Sequence, residues 1–183
     1  MLSGMNHEAD YELMQKVARG DQPAFRALYE QHKSRVYGIC LRLMGRGRGA
    51  EDMTQEVWMR VIKNANQYRP VGTLASWISQ VTRNACLNGL RAEKPEDFVE
   101  DMEQIADKNL EVENPFQGLA DGEELEKAFA ALPAQQRAAL LMFVYDELSH
   151  SEIAKELNIS IGAVKQLIFR GKESMRSHFK ERA

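Results

Sequence analysis

Apolar side chains recur along this chain at three- and four-residue intervals, and nowhere alternate with polar ones long enough to build a sheet. That period predicts helices near residues 9–19, 22–44, 49–66 and 73–92, and again near 122–131, 133–146, 150–157 and 161–180. The breaks fall at Gly20-Asp21, at the glycines around Arg46 and Arg48, and at Arg69-Pro70-Val71-Gly72. Pro133 suits the first position of its helix, where its missing N–H costs nothing. From 93 to 121 the apolar residues scatter, with Pro95 and Pro115 among them, so this stretch reads as a connector. The expected fold class is all-α, with two small helical domains, 1–92 and 122–183, joined by 93–121.

The last two helices carry the most specific pattern. Residues 152–172 read EIAKELNISIGAVKQLIFRGK. Ser149 and Glu152 have the spacing of a capping box, and Ser160 can cap the helix that follows. Asn158 stands where the first helix must end, and asparagine tolerates the left-handed backbone such an ending needs. Two short helices, a turn of about four residues and a small alanine at the crossing describe a helix-turn-helix. With Val164, Leu167, Ile168, Gly171, Met175 and Phe179 turned inward, the second helix would show Lys165, Gln166, Phe169, Arg170, Lys172 and Arg176 outward. Cations, an amide and an aromatic ring suit a DNA groove. An ordinary helical hairpin with a solvated basic face fits the same pattern less specifically.

Composition narrows the class. No run of about eighteen apolar residues is present, so no membrane insertion is expected, and the acidic N-terminus lacks the apolar core of a secretory signal. The two cysteines, Cys40 and Cys86, lie inside apolar helical patterns without a CxxC pair. Reduced, buried thiols in a cytoplasmic protein are expected, with no metal and no cofactor. The net charge of −3 conceals a strong asymmetry. Residues 1–92 hold 13 Lys/Arg against 8 Asp/Glu, residues 93–126 hold 2 against 13, and residues 127–183 hold 9 against 6. Two basic blocks flank an acidic linker, so the low overall charge does not exclude nucleic acid.

The first block supplies the context for the second. AEDMTQEVWMRVIKNA, followed by TLASWISQVTRNACLNGLR, resembles region 2 of the bacterial RNA polymerase sigma factors. LPAQQRAALLMFVYDELSHSEIAKELNISIGAVKQLIFRGKESMR resembles their region 4. Both regions in this order, with no large region 3 between, resemble the extracytoplasmic-function (ECF) group. The resemblance covers roughly residues 10–92 and 120–180.

It implies a sigma factor that binds polymerase core, recognises two promoter elements and assists melting without catalysing a reaction of its own. Implied partners are the clamp helices of the largest polymerase subunit, the flap of the second-largest subunit, promoter DNA and an anti-sigma factor. The motif matched by AEDMTQEVW makes Asp52, Gln55, Glu56 and Met59 core-binding candidates. The segment that reads and opens the −10 element implies roles for Arg83, Asn84, Asn88 and Arg91, whose amides and guanidinium groups suit base edges and phosphates. Tyr68 and the loop Arg69–Leu74 are expected to hold an extruded base, and Trp77 is expected in the core. For the −35 element the candidates are Ser160, Lys165, Gln166, Phe169, Arg170, Lys172 and Arg176. Here the chain departs from the family pattern: VKQLIFR stands where VKSRLHR is common, while Leu74 and Asn88 replace a frequent Phe and Asp. In the family the linker threads towards the RNA exit path, and an acidic chain suits a basic channel.

Two other readings compete. An autonomous helix-turn-helix regulator explains residues 150–180 but leaves the first block without a role. A carboxylate-bridged metal enzyme on a helical bundle needs two Glu-x-x-His motifs, and only Glu147-Leu-Ser-His150 is present, across a helix break.

Overall fold

The computed structural model describes residues 3–45, 48–98 and 122–180, and among them every regular element is helical. Most of the expected connector lies outside the described residues, as do Arg46 and Gly47. Contacts divide the chain into two compact units, Met1–Cys86 and Leu87–Ala183, with the division inside one helix.

The N-terminal unit holds α1 (Ser3–Ala18), α2 (Gln22–Met44), α3 (Arg48–Asn64) and the first part of α4 (Leu74–Glu93). Helix α2 starts where Asp21 accepts a hydrogen bond from the Ala24 N–H at 2.8 Å, with Pro23 in the first turn. It stops at Gly45, whose φ of 83° is closed to most side chains. The core collects Met14 and Val17 of α1, Leu28, Val36, Ile39 and Leu43 of α2, and Val57 and Val61 of α3, with Ile78 and Ala85 of α4. Cys40 and Cys86 are free and fully buried, with sulfurs 3.8 Å apart. The hydrogen bond shared with Cys40, followed by burial, pushes the Cys86 thiol far up, so it stays protonated. A short 3-10 turn, Ala65–Gln67, leads into the loop before α4, and Tyr68 there is fully buried.

The C-terminal unit holds α5 (Gly122–Ala130), α6 (Ala134–Val144), α7 (His150–Leu157) and α8 (Ile161–Lys180), with a 3-10 turn at Pro95–Asp97. Pro133 lies one position before its helix, at the N-cap. Having no hydroxyl or carboxyl, it cannot cap α6; the Asp97 carboxylate does so instead, accepting from the Ala134 N–H at 3.1 Å. The capping box at α7 forms as its spacing predicts. The Ser149 N–H donates to Glu152 Oε2 at 2.8 Å, and Ser149 Oγ accepts from the Glu152 N–H at 3.3 Å. Asn158 ends α7 in the left-handed region, at φ 55°. Helix α8 packs on α5, α6 and α7, burying Val164, Leu167, Ile168, Gly171 and Met175.

Candidate functional site

On α3 the sequence divides cleanly. Val57, Trp58 and Val61 are buried, while Asp52 and Gln55 are exposed and Met59 keeps 65% of its surface in water. Glu56, half-buried, accepts a hydrogen bond from Arg60 Nε at 2.9 Å. Beside this face a groove of about 1510 Å³ runs along the packed pair α2 and α3, lined by Phe25, Tyr29, Trp58, Met59 and Ile62 together with Gln55. Its aromatic floor is Trp58, edge-on to Phe25 at 6.0 Å and tilted to Tyr29 at 5.1 Å. Such pairs hold ring positions firmly, each adding about 0.5–1.5 kcal/mol beyond area burial. The Trp58 indole N–H is buried without a hydrogen-bond partner among the described residues. An apolar, aromatic groove beside an amide and a carboxylate fits a partner helix with an apolar stripe and polar flanks.

Helix α4 presents Asn84, Asn88 and Arg91 outward, at i, i+4 and i+7. The loop before it is ordered by its own bonds. Arg69 donates to the carbonyls of Asn66 and Tyr68 at 3.1 and 3.0 Å, and Thr73 Oγ1 accepts from the Ser76 N–H at 3.1 Å. Val71 at its tip is 93% exposed. On α8, Arg170, Arg176 and the Phe169 ring are exposed, with Lys165 and Gln166 half-exposed. Arg176 is tied to Glu173 at 2.7 Å. Ser160 accepts from the Ala163 N–H at 3.1 Å and starts the helix.

Residues 28–96 match the family model described as Sigma-70 region 2, and residues 122–175 match that described as Sigma-70, region 4. The chain belongs to the sigma-70 family, in its extracytoplasmic-function group. It is 32% identical to the ECF RNA polymerase sigma factor SigE of Mycolicibacterium smegmatis, over 88% of this chain and 65% of that one. It therefore spans slightly less than two thirds of that relative's length. It is 28% identical to the ECF sigma factor SigW of Bacillus subtilis, over 92% of this chain and 95% of the other. Among solved structures, the sigma factor RpoE in its complex with the anti-sigma factor NepR from Bartonella quintana superposes with a TM-score of 0.61. The identity is 19%, covering 85% of this chain and 96% of that one. CnrH, in complex with the cytosolic domain of CnrY, gives 0.58 at 16% identity, covering 96% and 99%. At these identities the superpositions show a shared fold.

Within this sigma fold, three expected contact residues are corrected. Tyr68 is fully buried, edge-on to Trp77 at 5.6 Å, with its hydroxyl lacking a hydrogen-bond partner among the described residues. Trp77 is the more accessible ring of the pair. Arg83 is only 6% exposed, on the inner side of α4. Lys172 is 7% exposed because Phe143 of α6 lies across it, with Nζ 5.3 Å from the ring centroid. A lysine stem is apolar enough to pack while its head reaches the edge, and one-helix periodicity does not distinguish that case from an outward lysine. These three side chains shape the faces that their neighbours present.

Proposed function

We propose that this sigma factor binds RNA polymerase core through α3 and the groove beside it, then reads two promoter elements with separate helical units. Residues 1–92 form the core-binding and −10 domain, 93–121 the acidic linker, and 122–183 the −35 domain. The observation that carries the reading is Met59 and Gln55 standing exposed beside an aromatic groove lined from α2 and α3. Asp52, Gln55, Glu56 and Met59 meet the clamp helices of the largest subunit, and the C-terminal unit meets the flap of the second-largest. Asn84, Asn88 and Arg91 meet the −10 element, helped by the Arg69–Leu74 loop. Ser160, Lys165, Gln166, Phe169, Arg170 and Arg176 meet the −35 element. The protein supplies contacts and no chemistry: strand separation is driven by binding energy, without nucleotide hydrolysis. It acts in the cytoplasm, where polymerase is, and no described helix is long and apolar enough to cross a membrane. An anti-sigma factor is a further partner, by analogy with the complex of RpoE and NepR.

The deciding experiment measures association with purified polymerase core. Gln55→Ala combined with Glu56→Ala should weaken it while leaving helicity unchanged. Unchanged affinity in a folded double variant would overturn the assignment of α3. Sequence-specific DNA binding and regulation without any association with core would favour the autonomous regulator instead.

A further inference from the structure

The motif Glu147-Leu-Ser-His150 straddles the start of α7. Glu147 sits at φ 53°, and no group of three His, Cys, Asp or Glu side chains among the described residues can hold an ion. His150, however, lies within a cluster of its own. It is the first residue of α7, half-exposed, with its ring stacked on Phe143 of α6 at 5.3 Å and 28° between planes. The same Phe143 ring carries Lys172 Nζ. Burial, then the charges of Lys165 and Lys172, hold the imidazole below the usual histidine range. Those two lysines are its charged neighbours on α8, Arg176 acts on Lys172 from one turn further on, α6 presents the Phe143 ring, and Glu152 on its own helix is bound back to Ser149. A part-buried imidazole whose charged neighbours are two ammonium groups is a poor cation in the free protein. It becomes a good one when an anion arrives, because the phosphate offsets both lysines and favours the protonated ring.

We propose that His150 is a DNA-backbone contact of the −35-binding unit, taking up one proton from solvent as a phosphate closes on it together with Lys165. The assignment rests on the sigma-factor reading above. Its sign follows from linkage. The ring's pKa is higher in the DNA complex than in the free protein, so the added affinity is complete below the free value and is lost as pH rises through the bound value. The extra charge adds one counterion to those released on binding.

The experiment uses holoenzyme reconstituted with wild type, His150→Gln, His150→Tyr and His178→Gln. Each is titrated onto duplex promoter whose upstream element was selected with the wild type. Affinity is measured against salt at about pH 6 and about pH 8, either side of the ordinary imidazole value. Wild type and His178→Gln should bind several-fold tighter at the lower pH, with a salt slope steeper there by about 0.9. Both His150 variants should show one slope at both pH values. His150→Tyr keeps a ring against Phe143, so loss of packing separates from loss of the proton. The assignment is overturned if either His150 variant keeps the pH-dependent slope while folded, or if the wild type lacks it. Wild type that fails to join core or to bind promoter at any pH brings down the sigma reading itself, and this contact with it.

Discussion

Replacing Gly171 tests how closely α8 must approach α6 to present its outer face. A Cβ built at Gly171 meets Leu140 Cδ2 at 3.2 Å, Leu140 Cβ at 3.7 Å and the Gln136 carbonyl oxygen at 3.7 Å. For Gly171→Ala the crowding atom is a terminal methyl that can shift by a few tenths of an ångström. Against that small cost stands the helix preference of alanine over glycine, about 1 kcal/mol. The expected result is a stability within roughly 0.5 kcal/mol of wild type, these two effects nearly cancelling. Gly171→Val adds two further carbons in the same gap, where the Gln136 carbonyl cannot yield without moving α6. Overpacking of that kind costs about 1–3 kcal/mol. In a domain of 60–100 residues this lowers the melting temperature by roughly 4–24 °C. The assay has an internal control, because both tryptophans, Trp58 and Trp77, lie in the N-terminal unit. Tryptophan fluorescence should melt as in wild type, while part of the far-UV circular dichroism signal is lost at the lower temperature. Holoenzyme carrying the valine should also lose affinity for the upstream element. A valine variant with wild-type melting by both probes would refute the close-approach argument.

Asn84→Ala with Asn88→Ala should reduce open-complex formation, seen as weaker permanganate reactivity of unpaired thymines, and a pre-melted bubble should rescue part of the loss. Gln166→Ala should flatten base preference at one or two positions of a randomised upstream element, by about 1–3 kcal/mol of discrimination per lost contact. Arg170→Ala should weaken all sequences alike and reduce the salt slope by about one counterion. Ser149→Ala removes one half of the α7 capping box and should destabilise the C-terminal unit by about 1 kcal/mol in thermal melts. The N-terminal unit should be acid-sensitive. Burial and then Arg35 hold His32 below its usual value of 6.5, against Asp10, so stability is full above 6.5 and declines as pH falls towards the folded value. Tryptophan-monitored melting of His32→Gln should be flatter across that window.

Helix borders were most legible where capping chemistry marks them. Asp21, Gly45, Ser149, Asn158 and Ser160 each hold a position that their side chains or backbone tolerances favour, and α2, α7 and α8 run from and to the residues their pattern predicts. Helix α1 has no such marker and begins at Ser3, six positions earlier than its apolar spacing suggested. The polar stripes of α3, α4 and α8 were legible, but which of their side chains reach the surface was not. Arg83 and Lys172 occupy helix positions that a single apolar stripe would leave outside, and burial comes from neighbouring elements whose placement no local pattern encodes. Tyr68 belongs to a loop where periodicity has nothing to report. The groove beside α3 was half visible: Trp58 flanked the apolar side of one helix, yet its pairing with Phe25 and Tyr29 depends on α2 lying against α3. In the sequence His150 stands out only as half of a metal motif. Its place beside Phe143, Lys165 and Lys172 depends on how three helices meet.

The carboxylate of Asp97 at the start of α6 bears on how separable the C-terminal unit is. Helix α6, the second helix of the region 4 match, borrows its cap from a residue 37 positions upstream, just past the end of the region 2 match at 96. The same carboxylate stands near Arg137, whose buried guanidinium would otherwise have less negative charge around it. A graft that moves only residues 122–183 onto another sigma factor would leave the Ala134 N–H without this acceptor. A graft beginning at Lys94 would carry it along. The recombination boundary for a transferable C-terminal unit thus lies within the end of the region 2 match, upstream of every helix of the region 4 match.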